Sequence, residues 1–201
     1  MEKHRLLGMT DGVIAIIITI MVLELKTPQG HDLAALVEDW PVFLAYVLSF
    51  VYVAIYWNNH HHYFHLVQRV DGALLWANLH LLFWLSLVPF ATAWMGESGF
   101  APVPVALYGV ALFMPAVAWR IMQGFIIRAD GGRAASPLGA LLARDVKAAI
   151  SPLFYAAGIG LAFVAPWASL LCYLAVALMW VVPDRRIEAL AAKTGQPPHP
   201  G

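Results

Sequence analysis

Six apolar stretches, each near the length needed to cross a bilayer, dominate this chain. A spanning helix needs about 20 mostly apolar residues, and it must bond its own backbone N–H and C=O groups because no water is there to receive them. Such stretches fall at 6–25, 41–64, 73–95, 104–127 and 146–164, and a sixth ends near residue 182. The boundaries hold helix-stopping residues: Pro28 and Gly30 in "KTPQGH", "DG" at 71–72 and "GESG" at 96–99. The "APW" at 165–167 reads as a tight turn between the last two. The chain is 61% hydrophobic and 12% charged, where globular chains run near half apolar and about a quarter charged. The fold class is therefore an all-α integral membrane protein with six transmembrane helices.

The formal net charge is zero, so only its distribution informs. With six spans, both termini and two loops share one side. That side holds Lys3, Arg5, Arg69, Arg120, Arg128, Arg133, Arg144, Lys147, Arg185, Arg186 and Lys193, and the other holds only Lys26. The basic side is cytoplasmic by the positive-inside rule, which puts both termini there. Residues 1–185 form one transmembrane unit, and 186–201, ending in "TGQPPHPG", is expected to be a disordered cytoplasmic tail. The first apolar run is too long for a signal peptide and reads as a retained helix. Cys172 is the one cysteine, so no disulfide framework exists. Pro115 falls inside the fourth span, with Arg120 and Gln123 following where the cytoplasmic interface is expected. The loop at 128–147 has room for one short amphipathic helix.

Ionisable and amide side chains inside spans are costly and usually face the bundle interior or a wet cavity. Here they gather at one depth on the cytoplasmic side. Arg5, Thr10 and Asp11 come from the first helix, Trp57, Asn58, Asn59, His60, His61, His62 and His65 from the second, and Asn78 and His80 from the third. Thr10 and Asp11 could alternatively cap a helix N-terminus, although Leu6 and Leu7 already read as helix. His61 and His65, four apart, suit two zinc ligands on one helical face. His60 and His80 could ligate a haem across two helices. The bland alternative is one histidine bonded inward and the others at the headgroups. Ile16, Ile20 and Leu23 form one stripe at i, i+4, i+7, with Thr19 beside it. Taken alone, such a stripe is a lipid-facing or packing face.

Three motifs carry a family resemblance. Arg5 followed by "LLGMTDGVIAI" resembles the R-x-x-x-F-S-D signature of the first helix of the TMEM175 family of potassium channels. "YVLSFVYVAIYWNNHH" resembles the family's S-F followed by W-x-x-H-H, and "LLWANLHLLFWLSLVPF" carries its N-L and P-F. Together they cover roughly residues 4–95, and the second half matches only in helix count and charge pattern. F-S-D here reads Met9-Thr10-Asp11, which keeps the hydroxyl and the acid but replaces the ring.

The resemblance implies a potassium-selective cation channel without a TVGYG filter, assembled as a homotetramer of six-helix chains in a prokaryotic inner membrane. It implies that the first helix lines a central pore. Ile16 maps to the narrowest point, Ile20 and Leu23 to further apolar layers, and Thr19 to a threonine implicated in selectivity. Arg5, Thr10, Asp11, Trp57, His60 and Asn78 map to a structural polar network. The partners implied are three further copies, potassium ions and the lipid bilayer, with no nucleic acid. No cofactor beyond permeant potassium, no resident metal and no enzymatic activity are expected. Two rivals stand beside this reading: a membrane haem- or metal-binding oxidoreductase using the histidines, and a secondary transporter. The transporter lacks support from inverted repeats or paired broken helices.

Overall fold

The structure is a computed structural model that describes residues 3–182 apart from 29, 137, 143 and 144, with backbone only at 140 and 141. The expected tail at 186–201 lies outside the described residues. The described elements are all helical: α1 (Lys3–Leu23), α2 (Leu33–Glu38), α3 (Trp40–Leu66), α4 (Gly72–Ser86), α5 (Val88–Glu97), α6 (Pro102–Ala129), α7 (Gly139–Leu142), α8 (Val146–Leu161) and α9 (Pro166–Val181).

Local chemistry explains where they start. Asp32, Asp71 and Asp145 cap α2, α4 and α8 by accepting from Ala35 N, Leu74 N and Ala148 N at 3.0, 2.8 and 3.0 Å. α3, α5, α6 and α9 each carry a proline in the first turn, where its missing N–H is no loss. Pro115 does not interrupt α6, which runs for 28 residues.

The third predicted span differs from the expectation of one helix over 73–95. It breaks at Leu87 into α4 and α5, and the whole stretch Gly72–Glu97, 26 residues with Leu87, is still long enough to cross a bilayer. Pro89 has no N–H to give the carbonyl four residues back, and Leu87 N turns to Trp84 O, three residues back, at 3.2 Å, which tightens the turn at this point. The hydroxyl of Ser86 bonds Phe83 O at 2.7 Å beside the break.

The last two spans are also shorter than expected. α8 and α9 have 16 residues each, about 24 Å at 1.5 Å per residue, against a hydrocarbon core of about 30 Å. Phe163 and Val164 at the tip of their connecting turn are exposed and apolar, and among the described residues the segments 3–23, 40–66, 72–97 and 102–129 alone have the length and hydropathy to cross a membrane. Trp167 beside it stacks on Trp40 at 5.7 Å, and Phe100 closes the trio at 5.2 and 5.6 Å. Such an aromatic group suits the headgroup level of the outer interface. Phe100 holds a left-handed backbone at φ 63° and its N–H reaches Met95 O at 3.1 Å, ending α5 by a Schellman-type turn. Burial among the tryptophans keeps a non-glycine residue in that conformation.

Bonds between helix ends fix the up-and-down order. Lys3 Nζ donates to Val67 O at 3.1 Å, and Gln68 N donates to Asp130 Oδ1 at 3.1 Å. The start of α1, the end of α3 and the end of α6 thus meet at one end of the bundle, the end that the positive-inside rule assigns to the cytoplasm. Lys147 Nζ reaches Val182 O at 2.7 Å, joining the start of α8 to the end of α9. At the opposite end Lys26 pairs with Glu97.

Two cores fill the bundle. One joins Leu6, Ile14, Ile17 and Met21 of α1 to Tyr63, Phe64, Leu74, Leu81 and Met122. The other packs Tyr52, Met95, Tyr108, Tyr155 and Tyr173 where α3, α5, α6, α8 and α9 meet. Tyr173 fits because Gly109 of α6 and Gly158 of α8 lie against its ring, where a Cβ on either would overlap it.

Candidate functional site

α1 is divided lengthwise. Leu6, Thr10, Ile14, Ile17 and Met21 are buried against α3, α4 and α5. On the other side Ile16, Ile20 and Leu23 are 58, 41 and 79% exposed, whereas Ile14 and Ile17 are 2 and 3% exposed. At about 100° per residue, Arg5, Met9, Gly12, Ile16, Ile20 and Leu23 share one face that this chain leaves uncovered. Thr19 lies on the same side and donates its hydroxyl to Ile16 O at 2.9 Å. Its proton is therefore engaged, and the oxygen keeps lone pairs to accept with. Beside this face, Val13, Ile16, Ile20, Phe90 and Ala93 line an open groove of about 400 Å³ between α1 and α5.

The polar residues of the first three spans form two groups. Asn78 Nδ2 donates to Thr10 Oγ1 at 2.9 Å, and His60 Nε2 meets Asn78 Oδ1 at 2.9 Å. All three are buried. An amide oxygen cannot donate, so His60 presents Nε2–H to it. The His60 ring stacks on Phe64 at 4.2 Å, which fixes its plane. One buried chain of bonds thus ties α1 to α4 and α4 to α3. The second group is exposed on this chain: Trp57 Nε1 donates to Asp11 Oδ1 at 3.0 Å. Asp11 sits about 140° round the helix from Ile16, on the flank and not on the uncovered face.

Five of the six residues mapped to a polar network are therefore hydrogen-bonded in two sets, and Arg5 is outside both. Arg5 is exposed and makes no bond to the described residues of its own chain. Neither Thr10 nor Asp11 caps α1, which starts two turns earlier. The threonine hydroxyl that replaces serine in the signature does make its bond.

The histidines divide as a packing reading would have it. His60 is inside, while His61 and His65 are exposed and pair through their Nε2 atoms at 3.0 Å. No third ligand joins that pair, and no group of three potential metal ligands occurs among the described residues. His80 Nε2 accepts from Trp84 Nε1 of its own helix at 2.9 Å, so the Nε2 atoms of His60 and His80 are both engaged by neighbours. The geometry lends nothing to the haem or metal reading.

Sequence reasoning named no partner for Gln123, which is buried, donates to Tyr63 Oη at 3.1 Å and accepts from Arg120 at 3.3 Å. It also missed a hydroxyl cluster of Ser49, Thr92 and Tyr108, bonded at 2.7 and 2.9 Å. The available signal was that each is a lone hydroxyl inside an apolar span, where it needs a partner.

Comparison with known proteins agrees with this architecture. The family model described as endosomal/lysosomal potassium channel TMEM175 matches residues 5–89. A Chryseobacterium protein named as a potassium channel is 53% identical over 188 residues, covering 94% of this chain and 97% of its own. One from Streptomyces collinus, also named as a potassium channel, is 34% identical over 174 residues, covering 81% and 84%. The crystal structure of a lysosomal potassium-selective channel TMEM175 homologue from Chamaesiphon minutus superposes with a TM-score of 0.77 at 30% identity, covering 89% of this chain and 96% of that one. With motifs in three helices, a bacterial relative alike over nearly its whole length and the same helical architecture, this integral membrane chain belongs to the TMEM175 family.

Proposed function

We propose that the chain is a potassium-selective cation channel that works as a homotetramer, with α1 lining a pore on the fourfold axis. The uncovered face of α1 carries this reading: Ile16, Ile20 and Leu23 are exposed along one line, while the opposite face is packed. The relatives alike over most of their length are named as potassium channels. One chain supplies one such helix, so a pore needs several copies, and closed cyclic symmetry provides them.

Isoleucine rings at the axis form a hydrophobic constriction, which can gate by dewetting. An ion crossing it sheds water with little replacement. Potassium holds its water less tightly than sodium and loses less there, so selectivity follows from dehydration and is modest beside that of a carbonyl filter. The lone pairs of Thr19 supply partial compensation to a stripped cation, since its proton already serves Ile16 O. Ile16 is the narrowest ring in this account, with Ile20 and Leu23 as further layers. Thr10, Asn78 and His60 hold the back of α1, and Trp57 and Asp11 its flank, so that the wall keeps its register.

Cysteine accessibility tests the facing. In a Cys172→Ser background, cysteines at 16, 20 and 23 are expected to react with a water-soluble thiol reagent and to reduce potassium flux into proteoliposomes. Cysteines at 14 and 17 should not. Equal protection at both sets of positions would remove α1 from the pore.

A further inference from the structure

A cavity of about 470 Å³ lies away from the uncovered face of α1, between α3 and α8, with α6 behind it and Trp180 of α9 at its side. Its volume falls within the roughly 300–1,000 Å³ typical of small-molecule sites. Its polarity is graded along its length. Tyr52 of α3, Phe113 of α6 and Tyr155 of α8 line one end, which the helix directions place near mid-membrane. Asn59, Arg120 and Ser151 line the other end, which faces the cytoplasmic interface.

The charge at the mouth is one-sided. No acidic residue lines the cavity, and Arg120 has no ion pair among the described residues. Its bond to Gln123 Oε1, at 3.3 Å, leaves most of the five guanidinium donors free. An arginine within a spanning helix calls for a counter-charge or water at its head. Lys147 Nζ, 6.0 Å from the ring of Trp180, donates to Val182 O at 2.7 Å and does not line the cavity. The amide of Asn59 and the hydroxyl of Ser151 are already bonded to Ile55 O and Lys147 O. The walls therefore offer an incoming head little besides the arginine. Midway, Tyr56 lines the cavity with a hydroxyl that has no hydrogen bond among the described residues.

We propose that this cavity binds an anionic membrane lipid of the inner leaflet, with one acyl chain between α3 and α8 and a headgroup oxygen on the Arg120 guanidinium. The apolar depth excludes water and suits a hydrocarbon chain. The arginine at the mouth, with no acidic residue beside it, selects an anionic head over a zwitterionic one. The volume admits one chain, so the second stays in the bilayer.

Native mass spectrometry of the purified assembly, titrated with phosphatidylglycerol or with phosphatidylcholine of the same chains, tests the site without requiring conduction. It therefore stands or falls apart from the channel reading. The unaltered protein is expected to bind phosphatidylglycerol more tightly. Arg120→Gln should erase that preference, roughly tenfold for one charge-assisted contact, and Arg120→Lys should keep most of it. Ala116→Phe, which fills the cavity, should weaken both lipids alike. Equal binding of the two lipids by the unaltered protein overturns the proposal, as does a preference that survives Arg120→Gln. Unimpaired binding by a folded Ala116→Phe protein overturns it too. Should Ala116→Phe not fold, the two arginine variants decide, since Arg120 is exposed and its truncation leaves no hole in the core.

Discussion

The hydroxyl of Thr10 accepts a buried hydrogen bond from Asn78 that joins α1 to α4, and Asn78 also serves His60. Replacing Thr10 by valine keeps the shape and leaves the Asn78 amide without an acceptor in a buried position. Such an orphaned group costs about 1–3 kcal/mol. Thr10→Val is therefore expected to lower the thermal stability of the detergent-solubilised protein, and Thr10→Ser to lower it much less. Equal stability of the two would mean that the hydroxyl does not bond as described. Asp11→Ala removes the acceptor of Trp57 Nε1 on a surface that the single chain leaves exposed. The expected result is a smaller yield of tetramer with little change in the potassium-to-sodium permeability of the channels that form. Full assembly with altered permeability would contradict a positioning role. The sequence identified all the residues of these bonds, yet not their pairing. Which amide meets which hydroxyl depends on how each helix is rotated, and in spans that are apolar all round no periodicity fixes that rotation. For the same reason Arg5, grouped by motif with the others, stands apart in the fold.

At the scale of helices, the packing around Tyr173 depends on two glycines. A Cβ at Gly158 would overlap the tyrosine ring, and overpacking of this kind costs typically about 1–3 kcal/mol. Gly158→Ala is expected to lower the melting temperature, and adding Tyr173→Leu should recover part of that loss. Strict additivity in the double-mutant cycle would show that the two side chains do not compete for space. The long apolar helices were legible because length and hydropathy report a membrane crossing directly. The break at Leu87 was not, since a window average passes over a single proline whose effect depends on one carbonyl. The short α2 reads as loop because its six residues are fewer than any periodicity test needs. The shortness of α8 and α9 was hidden by their apolar turn, which hydropathy counts as span.

The whole molecule is electrically lopsided. By the positive-inside reading the cytoplasmic side takes nearly all the basic residues of the sequence, whereas the opposite side takes Glu24, Asp32, Glu38, Asp39 and Glu97 against Lys26 alone. Lys26 is held protonated by its bond to Glu97, which raises its pKa above the usual lysine range. Glu24 directly follows Leu23 at the end of α1, next to the proposed outer mouth. A negative mouth concentrates cations by a field that salt screens, with a Debye length of about 10 Å at 0.1 M and about 3 Å at 1 M. Glu24→Gln is expected to lower single-channel potassium conductance in dilute salt and to leave it unchanged in concentrated salt. An equal effect at both concentrations would make the residue structural.

The central claim is that a ring of Ile16 side chains filters ions by dehydration. Single-channel recording of Ile16→Asn in planar bilayers, with potassium on one side and sodium on the other, addresses it most directly. A polar ring wets the constriction, so the conductance should rise and the reversal potential should move several-fold in permeability ratio towards no discrimination. An unchanged conductance and reversal potential, from protein that assembles normally, would contradict the claim.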